Sequence, residues 1–176
     1  MLQALQVTWG IRHKMERSLL YRVIDQIMRL INRIANIICI IVIAAMAVLL
    51  MLNWNSLPDE VPTHFTFDGT PDGFGSKVAL IREPIIAFAL FLIITVAQHF
   101  PQIWNFPVQL TERNMEREYL IASVMLNAVK VLITLLFLMT LLSALIVGFP
   151  AWPMMVGIAI TLVIPIVCIV LMFKAR

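Results

Sequence analysis

An all-α membrane protein of four transmembrane helices, with a small extracytoplasmic β-hairpin-like loop between helices 1 and 2, is the fold class this sequence predicts. Three observations predict it. Of 176 residues, 61% are apolar and only 13% charged, and mean hydropathy is +0.95. Soluble domains average about half apolar and about a quarter charged, so this chain has too little polar surface to cover a core of its size and the bilayer must be its main solvent. Four apolar stretches each approach the length of about 20 helical residues that crosses ~30 Å of hydrocarbon. Between the first two lies one compact polar segment, residues 57–77, with four of the chain's ten acidic residues.

Taken in order, residues 1–33 form a basic N-terminal segment. Leu20, Ile24, Ile27 and Ile31 recur at helical spacing, while Arg22, Gln26, Arg29 and Arg33 form a polar stripe. This pattern suits a helix lying in a cytoplasmic headgroup layer and leading into the first span. The first fourteen residues, ahead of Met15, read either as a weakly structured extension or as an alternative start. The first span covers residues 34–52 without a charge. It begins too late, runs too long and lacks a small-x-small cleavage site for a signal peptide. The second span covers residues 84–99, opening at Pro84, a residue suited to a first helical turn. The third is apolar over residues 131–149, with helical periodicity reaching back to Arg117. In the fourth, residues 154–173, Pro165 predicts a kink. Trp54, Trp104 and Trp152 fall at span ends, as belt residues do.

Counting Lys and Arg sets the orientation. With the N-terminus inside, ten basic residues face the cytoplasm and two, Lys77 and Arg82, face out, leaving Lys130 within a span. The positive-inside rule favours that arrangement. It places both termini in the cytoplasm and the polar segment outside. Residues 34–100 then form one module around an extracytoplasmic loop, residues 54–83, and residues 101–176 supply a cytoplasmic loop with helices 3 and 4. The loop at residues 101–117 alternates acids and bases at helical spacing and reads as a solvated helix start.

Several classes of function are disfavoured. The two cysteines, Cys39 and Cys168, lie in apolar runs and read as small hydrophobes rather than a disulfide pair. Basic residues are not interleaved with aromatics, so no nucleic-acid partner is expected. His64, Asp68 and Asp72 match no established metal-ligand spacing, and no metal or other cofactor is expected. No Gly-x-Ser-x-Gly elbow accompanies Ser76 and His64, and the chain is not expected to be an enzyme. Lys130 reads as a lysine snorkelling to the interface from near the cytoplasmic end of span three, and the spans as free of carboxylates, which argues against an autonomous pump.

The outward loop carries what remains. Residues 61–67 are rich in β-branched and aromatic types, with His64 and Thr66 on one face and Thr63, Phe65 and Phe67 on the other. Asp68-Gly69 signals a hairpin turn and Pro71-Asp72-Gly73 a second turn. Gly73 and Gly75 permit positive φ or close backbone approach around Phe74, and Ser76 is a cap for a short helix leading to Pro84. Phe65, Phe67 and Phe74 are expected to face lipid or the bundle. Pro58, Asp59, Pro62, His64, Phe65, Gly69, Pro71, Asp72, Gly73 and Lys77 make up the structural motif of the loop. Within it, His64 and Lys77 are the candidates for contact with a ligand or partner, although His64 bonded to the turn and Lys77 paired with Asp72 or Asp59 explain both structurally.

The order Leu57-Pro58-Asp59, Val61-Pro62-Thr63-His64-Phe65, Gly69, Pro71-Asp72-Gly73 and Gly75-Ser76-Lys77, directly after a first span, resembles the bacterial membrane family called domain of unknown function 1648 (DUF1648). That segment also begins the SdpI-type membrane proteins, known for immunity to a secreted toxic peptide and for signalling to a repressor. The resemblance covers about residues 35–100, and the further helical motifs of the SdpI type are not recognised in spans three and four. It implies a family-like outward module in a four-helix membrane protein and makes immunity one possibility; together with the absence of catalytic motifs, the expectation is a non-enzymatic bacterial inner-membrane protein with an accessory, sensing or immunity-like role through its outward loop. The partners it implies are the lipid bilayer and an extracytoplasmic peptide or membrane protein, with the oligomeric state open. The alternative is a small subunit of a transporter or channel, which polar residues along one face of spans three and four would favour.

Overall fold

The computed structural model describes residues 2–66, 70–111, 113–146, 148–150 and 152–174, with side chains from Arg22 onward. Its elements are helix α1 (Leu2–Asn53), strands β1 (Glu60–Phe65) and β2 (Pro71–Ser76), a 3-10 helix (Lys77–Ile81), helix α2 (Arg82–His99), a 3-10 turn (Pro101–Ile103), and helices α3 (Met115–Leu145) and α4 (Trp152–Lys174). Four of these helices are long and apolar enough to cross a membrane. The predicted fold class is what the structure shows: four long apolar helices with a two-stranded antiparallel sheet between the first and second.

The chain divides into two compact units at Ile34/Ala35. In the first, the backbone is helical from Leu2. Asp25 and Arg29 form an exposed ion pair one turn apart, and Leu20 lies outside the side chains described. The second unit holds everything else. Its main core joins Met46 and Leu50 of α1, Val61 of β1, Leu80 of the 3-10 helix, Ala87 of α2 and Leu141 of α3. A second cluster gathers Val108, Ala122 and Met172 at the other end of the helices. Most large apolar side chains point away from both; Met51 and Leu52 are three-quarters exposed and Leu162 nearly two-thirds. An outside so apolar fits lipid as solvent.

The hairpin differs from its sequence reading. Pro71-Asp72-Gly73 is not a turn but the start of β2, paired antiparallel with β1. Pro71 opens the strand, where its missing N–H does no harm. Gly73 and Gly75 serve by close approach: a Cβ on Gly73 would lie 2.9 Å from that of His64, and one on Gly75 3.2 Å from Thr63 Cγ2. Among the described residues the one positive φ is at Gly148. The register runs Pro62 opposite Phe74, His64 opposite Gly73 and Phe65 opposite Pro71, so Thr63 and Asp72 bulge out of the ladder and the predicted alternation along β1 is broken. The turn signal Asp68-Gly69, with Phe67, lies outside the described residues. Thr66 closes over it, its N–H and its hydroxyl both donating to the Thr70 carbonyl at 2.9 Å. At the base, Lys77 N–H donates to the Asp59 carbonyl at 3.0 Å. Ser76 caps the 3-10 helix as expected, accepting from Val78 N–H at 3.4 Å. Phe65 is half-buried, whereas Phe74 is exposed.

The helices also shift from their predicted bounds. The short helix expected after Ser76 is the 3-10 helix from Lys77, and α2 follows it directly from Arg82, two residues before Pro84. Helix α3 spans 31 residues from Met115 to Leu145 and stops short of Phe149, because Gly148 at φ +78° turns the chain and Pro150 disfavours helix in the residue before it. Glu118, in the first turn of α3, is fully buried, while the apolar stretch of α3 after Lys130 holds no carboxylate. One correction follows. Lys130 is the central residue of α3, about 22 Å from either end, and is 1% exposed instead of snorkelling. Helix α4 runs unbroken through Pro165. Gly157 lets α3 and α4 close up: a Cβ there would meet Leu136 Cδ2 at 2.8 Å.

The α2–α3 connection is folded up to the exposed, charged start of α3, where Arg113, Glu116 and Arg117 meet solvent as their alternation predicts. The Trp104 indole N–H donates to the Ala97 carbonyl at 2.7 Å. The Trp104, Phe106 and Tyr119 rings pack together, Phe106 and Tyr119 edge-on at 4.9 Å. Thr111 and Asn114 bond each other reciprocally, Thr111 N–H to Asn114 Oδ1 at 2.7 Å and Asn114 N–H to Thr111 Oγ1 at 3.3 Å, ahead of the first turn of α3 in the manner of a capping box.

Candidate functional site

Lys77 is pinned within the loop. Its ammonium meets Asp59 Oδ1 at 3.3 Å and the Leu57 carbonyl at 3.4 Å, and sits 5.6 Å from the Trp54 ring centroid. It therefore ties the strand base to the end of α1, with Asp59 rather than Asp72 as its acid. His64 is placed differently. Its side chain is 73% exposed, and Nδ1 lies 2.5 Å from Asp72 Oδ1. The bulges at Thr63 and Asp72 are what bring the carboxylate beside the ring, since bulges re-aim side chains. Asp72 thus bonds across the hairpin instead of to a local N–H group.

Beneath β1 a cleft of about 210 Å³ opens between the hairpin and the adjoining ends of α2, α3 and α4. Thr63, His64 and Phe65 form one wall, Arg82 and Glu83 a second, and Thr140, Ala144 and Met154 the remainder. Glu83 is the organising charge there. Its Oε2 accepts from the Thr140 hydroxyl at 3.0 Å, and its Oε1 lies 3.4 Å from Arg82 Nε. A charge-assisted bond of this kind joins α2 to α3 and holds the carboxylate in one place. Of the predicted site residues, Pro62, His64 and Phe65 line this cleft, Pro71, Asp72 and Gly73 lie on β2, Pro58, Asp59 and Lys77 form the base, and Gly69 is outside the described residues. Sequence reasoning missed Arg82, Glu83 and Thr140. Arg82 and Glu83 follow the motif closely, but Thr140 is 57 residues from Glu83 and no periodicity links them.

A second polar cluster lies deep among the helices. Lys130 Nζ meets Asn36 Oδ1 of α1 at 2.5 Å and, on α2, Gln98 Oε1 at 2.7 Å and Thr95 Oγ1 at 3.5 Å. The Phe91 ring lies 5.7 Å below it. Three neutral oxygens and an aromatic face hold this ammonium with no carboxylate at salt-bridge distance among the described residues. Four of the six buried residues of α3 are polar: Glu118, Asn127, Lys130 and Thr134. Among the described residues, no group of three or more His, Cys, Asp and Glu side chains converges as metal ligands would.

Residues 40–88, from the second half of α1 through the hairpin into α2, match the family model described as "Domain of unknown function (DUF1648)". An uncharacterized protein of Archaeoglobus fulgidus is 40% identical over 76 residues, which cover 39% of this chain and 42% of that protein. The chain therefore spans less than half the length of this relative. No solved structure matches the chain.

Proposed function

We propose that this is a non-catalytic, multi-pass protein of a prokaryotic cytoplasmic membrane whose outward hairpin receives a segment of an extracytoplasmic peptide or partner protein. It acts as an accessory, sensing or immunity-like factor, with both termini in the cytoplasm. The observation carrying this reading is the cleft under β1, rimmed by His64 and floored by Arg82 and Glu83. At about 210 Å³ it falls below the ~300–1,000 Å³ of sites for cofactors and drug-sized ligands, and suits one or two side chains. The small polar set of one imidazole, one guanidinium and one carboxylate supplies orientation. The uneven distribution of Lys and Arg supports the orientation in the membrane, and the DUF1648 match is centred on this loop. Lys77, pinned by Asp59 and Trp54, serves the fold of the cap and leaves His64 as the contact residue.

A photo-cross-linking residue at position 63 tests this reading in intact cells. The expected result is an adduct of defined mass that disappears in His64→Ala and Arg82→Gln proteins present at normal abundance. The reading fails if both variants give the same adduct, or if a cross-linker at the exposed position 156 of α4 gives the same pattern.

One observation favours a second reading, a small transport subunit. The buried face of α3 carries Glu118, Asn127, Lys130 and Thr134, and polar groups facing a bundle interior mark conduction paths in many membrane proteins. Co-purification with a transporter or channel, with flux abolished by Lys130→Met, would select this reading over the first.

A further inference from the structure

At the end of the bundle remote from the hairpin, two adjoining cavities differ sharply in character. One is an apolar cleft of about 430 Å³ between the last turns of α2 and α4 and the first turns of α3, walled by Trp104, Phe106, Met125, Leu126, Ile169 and Met172. The other is an open basin of about 910 Å³ that holds Arg113, Arg117, Gln109 and Asn114. Phe106 and Pro107 line both, so the two adjoin across these residues. Each wall is braced. Trp104 is bonded to the Ala97 carbonyl at 2.7 Å, and Asn114 Nδ2 donates to the Gln109 carbonyl at 3.0 Å while its Oδ1 accepts from Thr111 N–H at 2.7 Å. Arg113 and Arg117 stand exposed, four residues apart across the start of α3, and among the described residues no carboxylate lies at salt-bridge distance from either.

We infer that this pair of cavities binds an anionic glycerophospholipid, with one acyl chain in the apolar cleft and the headgroup phosphate on Arg113 and Arg117. Charge complementarity selects the occupant. Two guanidiniums without a carboxylate partner among the described residues match a phosphate, which accepts bidentate donation from arginine, and basic pockets between membrane helices are suited to anionic headgroups. The apolar cleft beside them excludes a free phosphate or nucleotide as the natural ligand, because burial of an acyl chain supplies the rest of the binding. Ile169 is 40% exposed on α4, so the cleft opens on the side that meets lipid. This site is separate from the hairpin cleft and does not depend on its function.

The full chain in detergent, titrated with phosphatidylglycerol and phosphatidylcholine of identical acyl chains and read by native mass spectrometry, tests the inference. Phosphatidylglycerol is expected to be retained preferentially. Each of Arg113→Gln and Arg117→Gln lowers that preference about fivefold and the pair about 25-fold, whereas Arg82→Gln, beside the hairpin, leaves it unchanged. Ile169→Trp, which fills the cleft from an exposed stretch of α4, weakens both lipids alike. Millimolar inorganic phosphate does not compete. Equal retention of the two lipids, an Arg113→Gln/Arg117→Gln protein indistinguishable from the parent, or displacement by inorganic phosphate would each overturn the assignment.

Discussion

At the scale of single residues, Gly73 and Lys130 show how far local signals reach. The sequence marks Gly73 as a turn glycine, yet its function is to let His64 lie directly opposite it in the ladder. Gly73→Ala places a Cβ 2.9 Å from the His64 Cβ, while Gly75→Ala meets only a Thr63 methyl at 3.2 Å. Overpacking of this kind costs about 1–3 kcal/mol. Gly73→Ala is therefore expected to lower the unfolding temperature in detergent more than Gly75→Ala, and the opposite ranking would contradict the bulged register. Lys130 is visible in the sequence as a charge in an apolar run, but its partners are not. Asn36→Leu removes the acceptor at 2.5 Å and leaves a buried ammonium short of a partner, a loss of about 3 kcal/mol. Lys130→Met removes the charge at similar volume, leaves only neutral acceptors unpaired, and is expected to cost less than Asn36→Leu. Thermal unfolding of the two variants decides between them; a Lys130→Met protein less stable than Asn36→Leu would refute this account of the cluster.

At the scale of elements, α3 departs furthest from its hydropathy profile. Hydropathy alone places its span over the uninterrupted apolar residues after Lys130, because Glu116, Arg117, Glu118 and Lys130 depress the preceding stretch. The helix starts at Met115, two residues ahead of the Arg117 to which the helical periodicity reaches, with Glu118 and Lys130 buried. The sixteen residues from Met115 to Lys130 place Lys130 at the helix centre instead of at its cytoplasmic end. Gly157 is where α4 packs against Leu136 of α3 with no room for a Cβ between them. Gly157→Val is expected to destabilise by about 1–3 kcal/mol, and Leu136→Ala in the same chain to recover a measurable part. A double-mutant cycle showing coupling of at least about 1 kcal/mol would establish the contact, and strict additivity would rule it out.

For the whole molecule, the apolar exterior and four membrane-length helices describe a multi-pass protein with a small cap. The proposed orientation is checked by thiol labelling in a background with Cys39 and Cys168 replaced by Ala. Thr70→Cys should react with a membrane-impermeant reagent in intact cells, and Gln102→Cys only after permeabilisation. Both positions are exposed. Reversed labelling would invert the topology and place the hairpin cleft in the cytoplasm.

The four helices, the two-stranded loop and its place between helices 1 and 2 were determined by the sequence itself. In lipid a backbone must satisfy its own hydrogen bonds, so a long apolar run is helical whatever surrounds it, and Pro, Gly and Asp punctuate the loop by local geometry. Ser76 as a cap and Lys77 as a pin belong to the same local order. Which side chains meet across the bundle was decided only by tertiary structure. Asn36 and Lys130 stand 94 residues apart, and Glu83 and Thr140 stand 57 apart. Their meeting depends on the relative rotation and depth of separate helices, which no hydropathy pattern encodes. The cleft under β1, the buried ammonium and the paired cavities at the opposite end all arise from that packing.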